Sequence, residues 1–154
     1  MRLRRQGSIE PLLTLPIETP RLILRDFVSR DLEAVHAYSS LPDVSRYLVW
    51  GPNTLLQSKD MIRGFLLDQK RRPRINFDLQ GYAQEAARAL MDAGFREIGL
   101  QRIFATCDQR NKASARVMER LGLRREGAFR LSKYIQGEWC DEFLYAILAE
   151  EFMG

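Results

Sequence analysis

A strand, a polar turn, a helix and a sharp exit, all within residues 102–122, constrain this chain more than any other feature. Residues 102–107 (Arg-Ile-Phe-Ala-Thr-Cys) carry the β-branched and aromatic types of a strand. Asp108, Gln109 and Arg110 make a polar turn. Asn111 stands at the capping position of the next helix, where its side-chain oxygen can accept one of the unpartnered first-turn amides. That helix closes at Gly122, because glycine adopts the left-handed backbone of a helix exit at least cost. Leu123 then opens a further strand, which runs to Phe129.

The surroundings admit a real core and exclude several classes. At 154 residues the chain is long enough for one well-buried domain. No apolar run approaches the roughly 20 residues needed to span a bilayer, and no apolar stretch follows the basic residues 1–8 as a signal peptide would require. Cys107, Cys140 and the single His36 lack any metal-ligand or redox spacing, so no metal site is expected. A reduced, cytoplasmic setting fits. The net charge of +4 is dispersed; Lys70-Arg71-Arg72 and Arg124-Arg125 read as solvated faces rather than a nucleic-acid surface. Such a surface also suits a phosphate-rich cosubstrate.

Residues 1–16 are expected to form a flexible basic N-terminal arm, and residues 17–154 a single domain. Residues 18–27 alternate as a first strand, with Leu22 and Leu24 on one face. Residues 31–38 make a short helix ended at Pro42, after which residues 43–48 can add a turn or two. Residues 55–70 form an amphipathic helix buried through Ile62, Phe65 and Leu66. Residues 74–79 alternate as a strand. Residues 81–95 form a helix whose close-packing face is Ala83, Ala86, Ala87, Leu90, Gly94 and Phe95. After the 102–129 unit comes a turn at Gly137 and a last strand at residues 142–148. The order implies an α/β layer fold around one sheet.

Two motifs carry a family resemblance. The opening Glu18-Thr19-Pro20-Arg21-Leu22-Ile23-Leu24-Arg25, and Asn111 with Ser114 at a helix start that ends in Leu121-Gly122-Leu123, resemble the GNAT superfamily of N-acetyltransferases. The likeness is to the branch of the ribosomal-protein alanine N-acetyltransferases and covers nearly all of residues 17–153. It implies a mixed, mainly antiparallel central sheet flanked by helices on both faces. It also implies acetyl-CoA as acetyl donor and an amine as acceptor.

Acetyl transfer from a thioester to an amine needs a neutral amine, a stabilised carbonyl oxygen and a proton for the departing thiolate. Gln80-Gly81-Tyr82-Ala83 fits the end of the family's glycine-rich pyrophosphate loop, since Gly81 lets backbone approach phosphate ahead of a helix N-terminus. Asn111 is an ordinary helix cap on its residues alone; the resemblance adds a hold on the pantetheine arm. Ser114 is by default a first-turn serine, and by resemblance the proton donor to the coenzyme sulfur. Arg110 and Lys112 read as exposed charges within reach of phosphate. The family often places a glutamate in the stretch matching residues 129–135, but Phe129-Arg130-Leu131-Ser132-Lys133-Tyr134-Ile135 holds no carboxylate. Glu126, Glu138 and Asp141 read as surface acids. His36 reads as structural, and Tyr134 and Trp139 as packing residues.

One seam interrupts the likeness. In the family a hairpin and a further strand precede the glycine-rich loop, and that strand faces the one matching residues 102–107 across the cofactor. Here Leu79 runs directly into Gln80, whereas two strands with their loops need roughly 30–50 residues. A segment is therefore missing between Leu79 and Gln80, either from the protein or from the sequence as written. Asp78 and Leu79 stand at the loop's first pattern positions and do not carry the motif. The expectation is an N-acetyltransferase moving acetyl from acetyl-CoA to a primary amine, on a protein N-terminus or a small molecule. The alternative is a non-catalytic acyl-CoA-binding or degenerate module on the same fold. Oligomeric state is open, a homodimer included.

Overall fold

The computed structural model describes residues 13–70 and 83–154. Most of the expected N-terminal arm, the strand at residues 74–79, the seam at Leu79 and Gln80, and the loop residues Gly81 and Tyr82 lie outside the described residues.

Strand β1 (Ile17–Glu18) and strand β2 (Ile23–Leu24) pair antiparallel. The single strand expected over residues 18–27 is thus a small hairpin. Thr19 and Pro20 cause the break. Pro20 has no amide to donate to a ladder, while the Thr19 amide donates to the Leu22 carbonyl at 2.9 Å and the Leu22 amide to Thr19 Oγ1 at 2.9 Å. Glu85 then ties the turn to a later helix, accepting from Thr19 Oγ1 at 2.6 Å and pairing with Arg21.

Three helices follow: α1 (Leu32–Ser39), α2 (Pro42–Ser45) and α3 (Leu55–Asp68). Proline opens α2 because its fixed φ suits a first helical position. Thr54 and Gln57 form a reciprocal capping box at the start of α3. Helices α1 and α3 meet through Val35 and Ile62, with Ser39 and Ser58 fully buried between them and their hydroxyls 2.9 Å apart. His36 Nδ1 lies 3.0 Å from the Ser58 hydroxyl, which gives it a structural partner.

Helix α4 (Ala83–Arg96) buries Ala86, Met91, Ala93, Gly94 and Phe95. Ala83, assigned to the packed face by its spacing, is instead exposed: burial along the helix begins at Ala86. Strand β3 (Arg102–Asp108), helix α5 (Lys112–Arg120), strand β4 (Arg124–Ile135), strand β5 (Glu138–Leu148) and helix α6 (Ala149–Met153) complete the order. β5 lies between β3 and β4, antiparallel to both. Helices α4 and α5 cover one face of this sheet. Met91, Phe95, Ala115, Met118 and Leu121 pack there against Cys107, Tyr145 and Ile147. Gly122 has φ +88°, the left-handed exit its position calls for.

Strands β4 and β5 are longer than the sequence pattern suggests. Their pairing runs to a tight turn at Gln136 and Gly137, both at positive φ. It is also interrupted: Phe129 faces Glu142, whereas Lys133 faces Cys140, so β4 carries two surplus residues between them. Leu131 within this bulge sits at φ +49°, uncommon for a branched side chain. Its amide is held by Asp141 Oδ1 at 2.8 Å.

Candidate active site

The site lies where β3 hands over to α5. Asp108 fixes that turn. Its Oδ1 accepts the Arg110 amide at 2.8 Å, and its backbone carbonyl accepts the Asn111 amide at 2.9 Å. Asp108 is 5% exposed, and a buried carboxylate needs a counter-charge. Arg110 supplies it, with Nη2 at 2.7 Å from Oδ2, and reaches onward to Glu138 at 2.6 Å and to the Cys140 sulfur at 3.0 Å. The guanidinium beside it holds the Asp108 carboxyl below its ordinary range, against the opposing pull of burial. Arg110 is exposed, as its sequence reading has it, but it is not a free charge: it clamps the turn to the β4–β5 hairpin.

Asn111 caps α5. Its Oδ1 accepts the Ser114 amide at 3.0 Å, which turns the Nδ2 donors away from the helix. Ser114, half-buried, faces a cavity of about 190 Å³ together with Asn111, Thr106 and Cys107. Residues 47–50, Lys133, Ile135 and Glu142 line the rest of it. Burial pushes the Cys107 thiol up, reinforced by the negative charges of Asp108 and Glu142. Of the six residues assigned by sequence, the structure brings Asn111 and Ser114 together at this cavity. Ala83 starts α4 elsewhere, and Gln80, Gly81 and Tyr82 lie outside the described residues. No cluster of three His, Cys, Asp or Glu fit to hold a metal occurs among the described residues.

Glu142 is the residue the sequence reading passed over. Placed at the start of a last strand, it drew no role; in the fold it sits mid-strand, 5% exposed, with its carboxylate at the cavity. Ser132 Oγ donates to Oε2 at 2.7 Å and Lys133 Nζ lies 2.7 Å from Oε1. Burial raises its pKa, yet the Lys133 ammonium and the Ser132 hydroxyl more than offset this and hold it below the ordinary range. The stretch 129–135 lacks a carboxylate, and the neighbouring strand provides one against it. The available signal was the glycine turn at Gly137: a hairpin pivoting there extends β5 back to Glu138 and by regular counting sets Glu142 opposite Leu131, and the bulge shifts its partner to Phe129. Of the acids weighed from sequence, Glu126 pairs with Arg102 at 2.5 Å and Glu138 with Arg110. Tyr134 and Trp139 pack edge-to-face on each other across the hairpin, both largely exposed.

A three-stranded antiparallel sheet thus meets a capped helix at a cavity lined by polar side chains. A model of the "Acetyltransferase (GNAT) domain" matches residues 74–124. The uncharacterized N-acetyltransferase YnaD of Bacillus subtilis is 34% identical over 88% of this chain and 98% of its own length. A GNAT-family acetyltransferase from Bacillus anthracis superposes with a TM-score of 0.74 at 33% identity, covering 87% of this chain and 98% of that one. RimL, a ribosomal alpha-N-protein acetyltransferase solved in complex with coenzyme A, superposes at 0.69 over 84% of this chain and 95% of its own, at 19% identity. The chain belongs to the GNAT family of acetyltransferases. The YnaD alignment extends over 167 residues, more than the 154 of this chain. With 88% of the chain aligned, YnaD has roughly 30 residues facing gaps here, about what two strands and their loops occupy.

Proposed function

We propose that this protein is a cytoplasmic N-acetyltransferase that moves an acetyl group from acetyl-CoA directly to a primary amine. The acceptor is a protein N-terminus or a small-molecule amine. The observation that carries the reading is the capped start of α5, where Asn111 and Ser114 face one cavity with a buried carboxylate on its far side. Donor chemistry at the cavity suits the cosubstrate. Asn111 Nδ2, free of the cap, would donate to a pantetheine amide carbonyl, and the Ser114 hydroxyl at the same cavity would give the departing thiolate its proton. Gln80, Gly81, Tyr82 and Ala83 would hold the pyrophosphate ahead of α4. That RimL was solved with coenzyme A supports the donor assignment.

The test is incubation with acetyl-CoA and a panel of amines, reading thiol release and product mass. Acetylated amine with one thiol released per acetyl is the expected result. Acetyl-CoA binding without thiol release from any acceptor would overturn catalysis. The residues that YnaD carries and this chain lacks favour a second reading, a non-catalytic module that has lost the cofactor notch. Calorimetry separates the two, because such a module takes up no acetyl-CoA.

A further inference from the structure

The bulge in β4 arranges charge around Glu142 in a way that regular pairing would forbid. Neighbouring residues on a regular strand point to opposite faces. Ser132 and Lys133 are neighbours, yet both side chains reach the Glu142 carboxylate, at 2.7 Å each. The surplus residues and the left-handed Leu131, pinned by Asp141, re-aim the strand so that they can. Glu142 itself is almost wholly buried, with its side chain 7% exposed, while the Lys133 side chain is 47% exposed. A long, half-exposed stem thus carries an ammonium from solvent into a cavity that also holds Asn111 and Ser114. Lysine bears its charge at the end of a flexible chain and can withdraw it at small cost.

We propose that Glu142 is the counter-ion of the acceptor amine, and that Lys133 Nζ holds the place the acceptor ammonium takes. This rests on the acetyltransferase reading and specifies its acceptor: a primary amine that arrives as a cation and must displace a resident one. On displacement Lys133 turns out to solvent and the acceptor ammonium is bound by Glu142. Glu142 then takes a proton from it, leaving a neutral amine. The nitrogen lone pair forms the N–C bond to the thioester carbon, and the C–S bond breaks. Ser114 gives its hydroxyl proton to the thiolate and takes up the second proton released by the nitrogen, directly or through water, so that its hydroxyl is restored, and the proton on Glu142 leaves to solvent.

Electrostatics around the carboxylate follow the same logic. Lys133 pairs with it from β4; Cys107 and Asp108 of β3 and Tyr47 line the same cavity, with Asp108 already paired with Arg110. Burial is the largest influence on the Glu142 carboxyl and acts upward; Lys133 is the chief offset. Removing Lys133 therefore raises the carboxyl toward a stronger proton acceptor, and the acid limb of kcat/KM moves to higher pH.

The experiment uses the full chain and n-butylammonium chloride as probe, titrated by NMR into wild type, K133M, K133Q and E142Q. Acetyl-CoA affinity is measured in parallel by calorimetry and folding by thermal melts. Both Lys133 variants should bind the probe roughly tenfold tighter, as the loss of one competing charge-assisted contact implies, and E142Q roughly tenfold more weakly. Acetyl-CoA affinity should be alike in all four. Folded Lys133 variants that bind the probe no better than wild type, or show no binding at all, overturn the proposal, as does an E142Q that binds equally well. Loss of acetyl-CoA binding in wild type instead overturns the acetyltransferase reading and leaves the amine titration readable.

Discussion

Asn111 Oδ1 and the Ser114 amide are 3.0 Å apart, so the residue that ends the β3–α5 turn also sets where the Ser114 side chain emerges. Structural and functional roles of Asn111 are separable by substitution. N111A should lose about 1 kcal/mol of stability in urea unfolding, the usual cost of a lost cap. N111D keeps an oxygen at the cap and should retain most of that stability, yet lower acetyl-CoA affinity because its amide donors are gone. An N111D protein that binds acetyl-CoA as wild type does leaves Asn111 with the cap alone.

Ser114 should matter for rate more than for folding. S114A should reduce kcat on the order of 100-fold, the lower range for a lost general acid, with little change in the melting temperature. Its KM for acetyl-CoA should stay close to wild type, since the proton is delivered only as the C–S bond breaks. A kcat within twofold of wild type would remove Ser114 from the chemistry.

Asp108 gives the fold an acid-sensitive joint. Its folded pKa lies below the ordinary 3.8 because of Arg110. Its stabilising contribution is therefore fully present above that ordinary value and is lost as pH falls through the depressed one. D108N should be less stable than wild type at pH 7 and should lose less further stability below pH ~4. Unfolding curves of the two proteins across that range read the difference directly, and parallel pH profiles would refute it.

Gly122 holds φ +88° at the exit of α5. G122A should cost about 1–2 kcal/mol, the penalty of a left-handed backbone with a Cβ. The added methyl itself meets only Ile147 Cδ1, at 3.4 Å, so the loss is conformational rather than steric. An unchanged urea midpoint would contradict this.

Legibility in the sequence followed the locality of the physics. The α5 cap, its glycine exit and the strand before it depend on residues a few positions apart, and all three stand as read. The strand expected over residues 18–27 depended on whether Thr19 and Pro20 would continue a ladder or turn it, and the long contact with Glu85 favours the turn. Glu142 was hidden for a similar reason. Its burial comes from pairing across the hairpin and from a bulge twelve to ten residues upstream in β4, neither of which any period in the sequence displays. Arg110 looked like a free charge because both of its carboxylate partners are defined only once Asp108 is buried and Glu138 is folded back over it.

The surplus residues of β4 give the hairpin an elastic joint. Pairing on the Arg124 side is anchored to Ala146 and that on the Ile135 side to Glu138, so the stretch between can lengthen, shorten or change composition without shifting either register. Cys107 belongs to β3 and Asn111 to the start of α5, both outside the stretch that would vary. A lineage can in this way retune what surrounds Glu142 by editing three or four residues, while the capped helix beside it stays as it is.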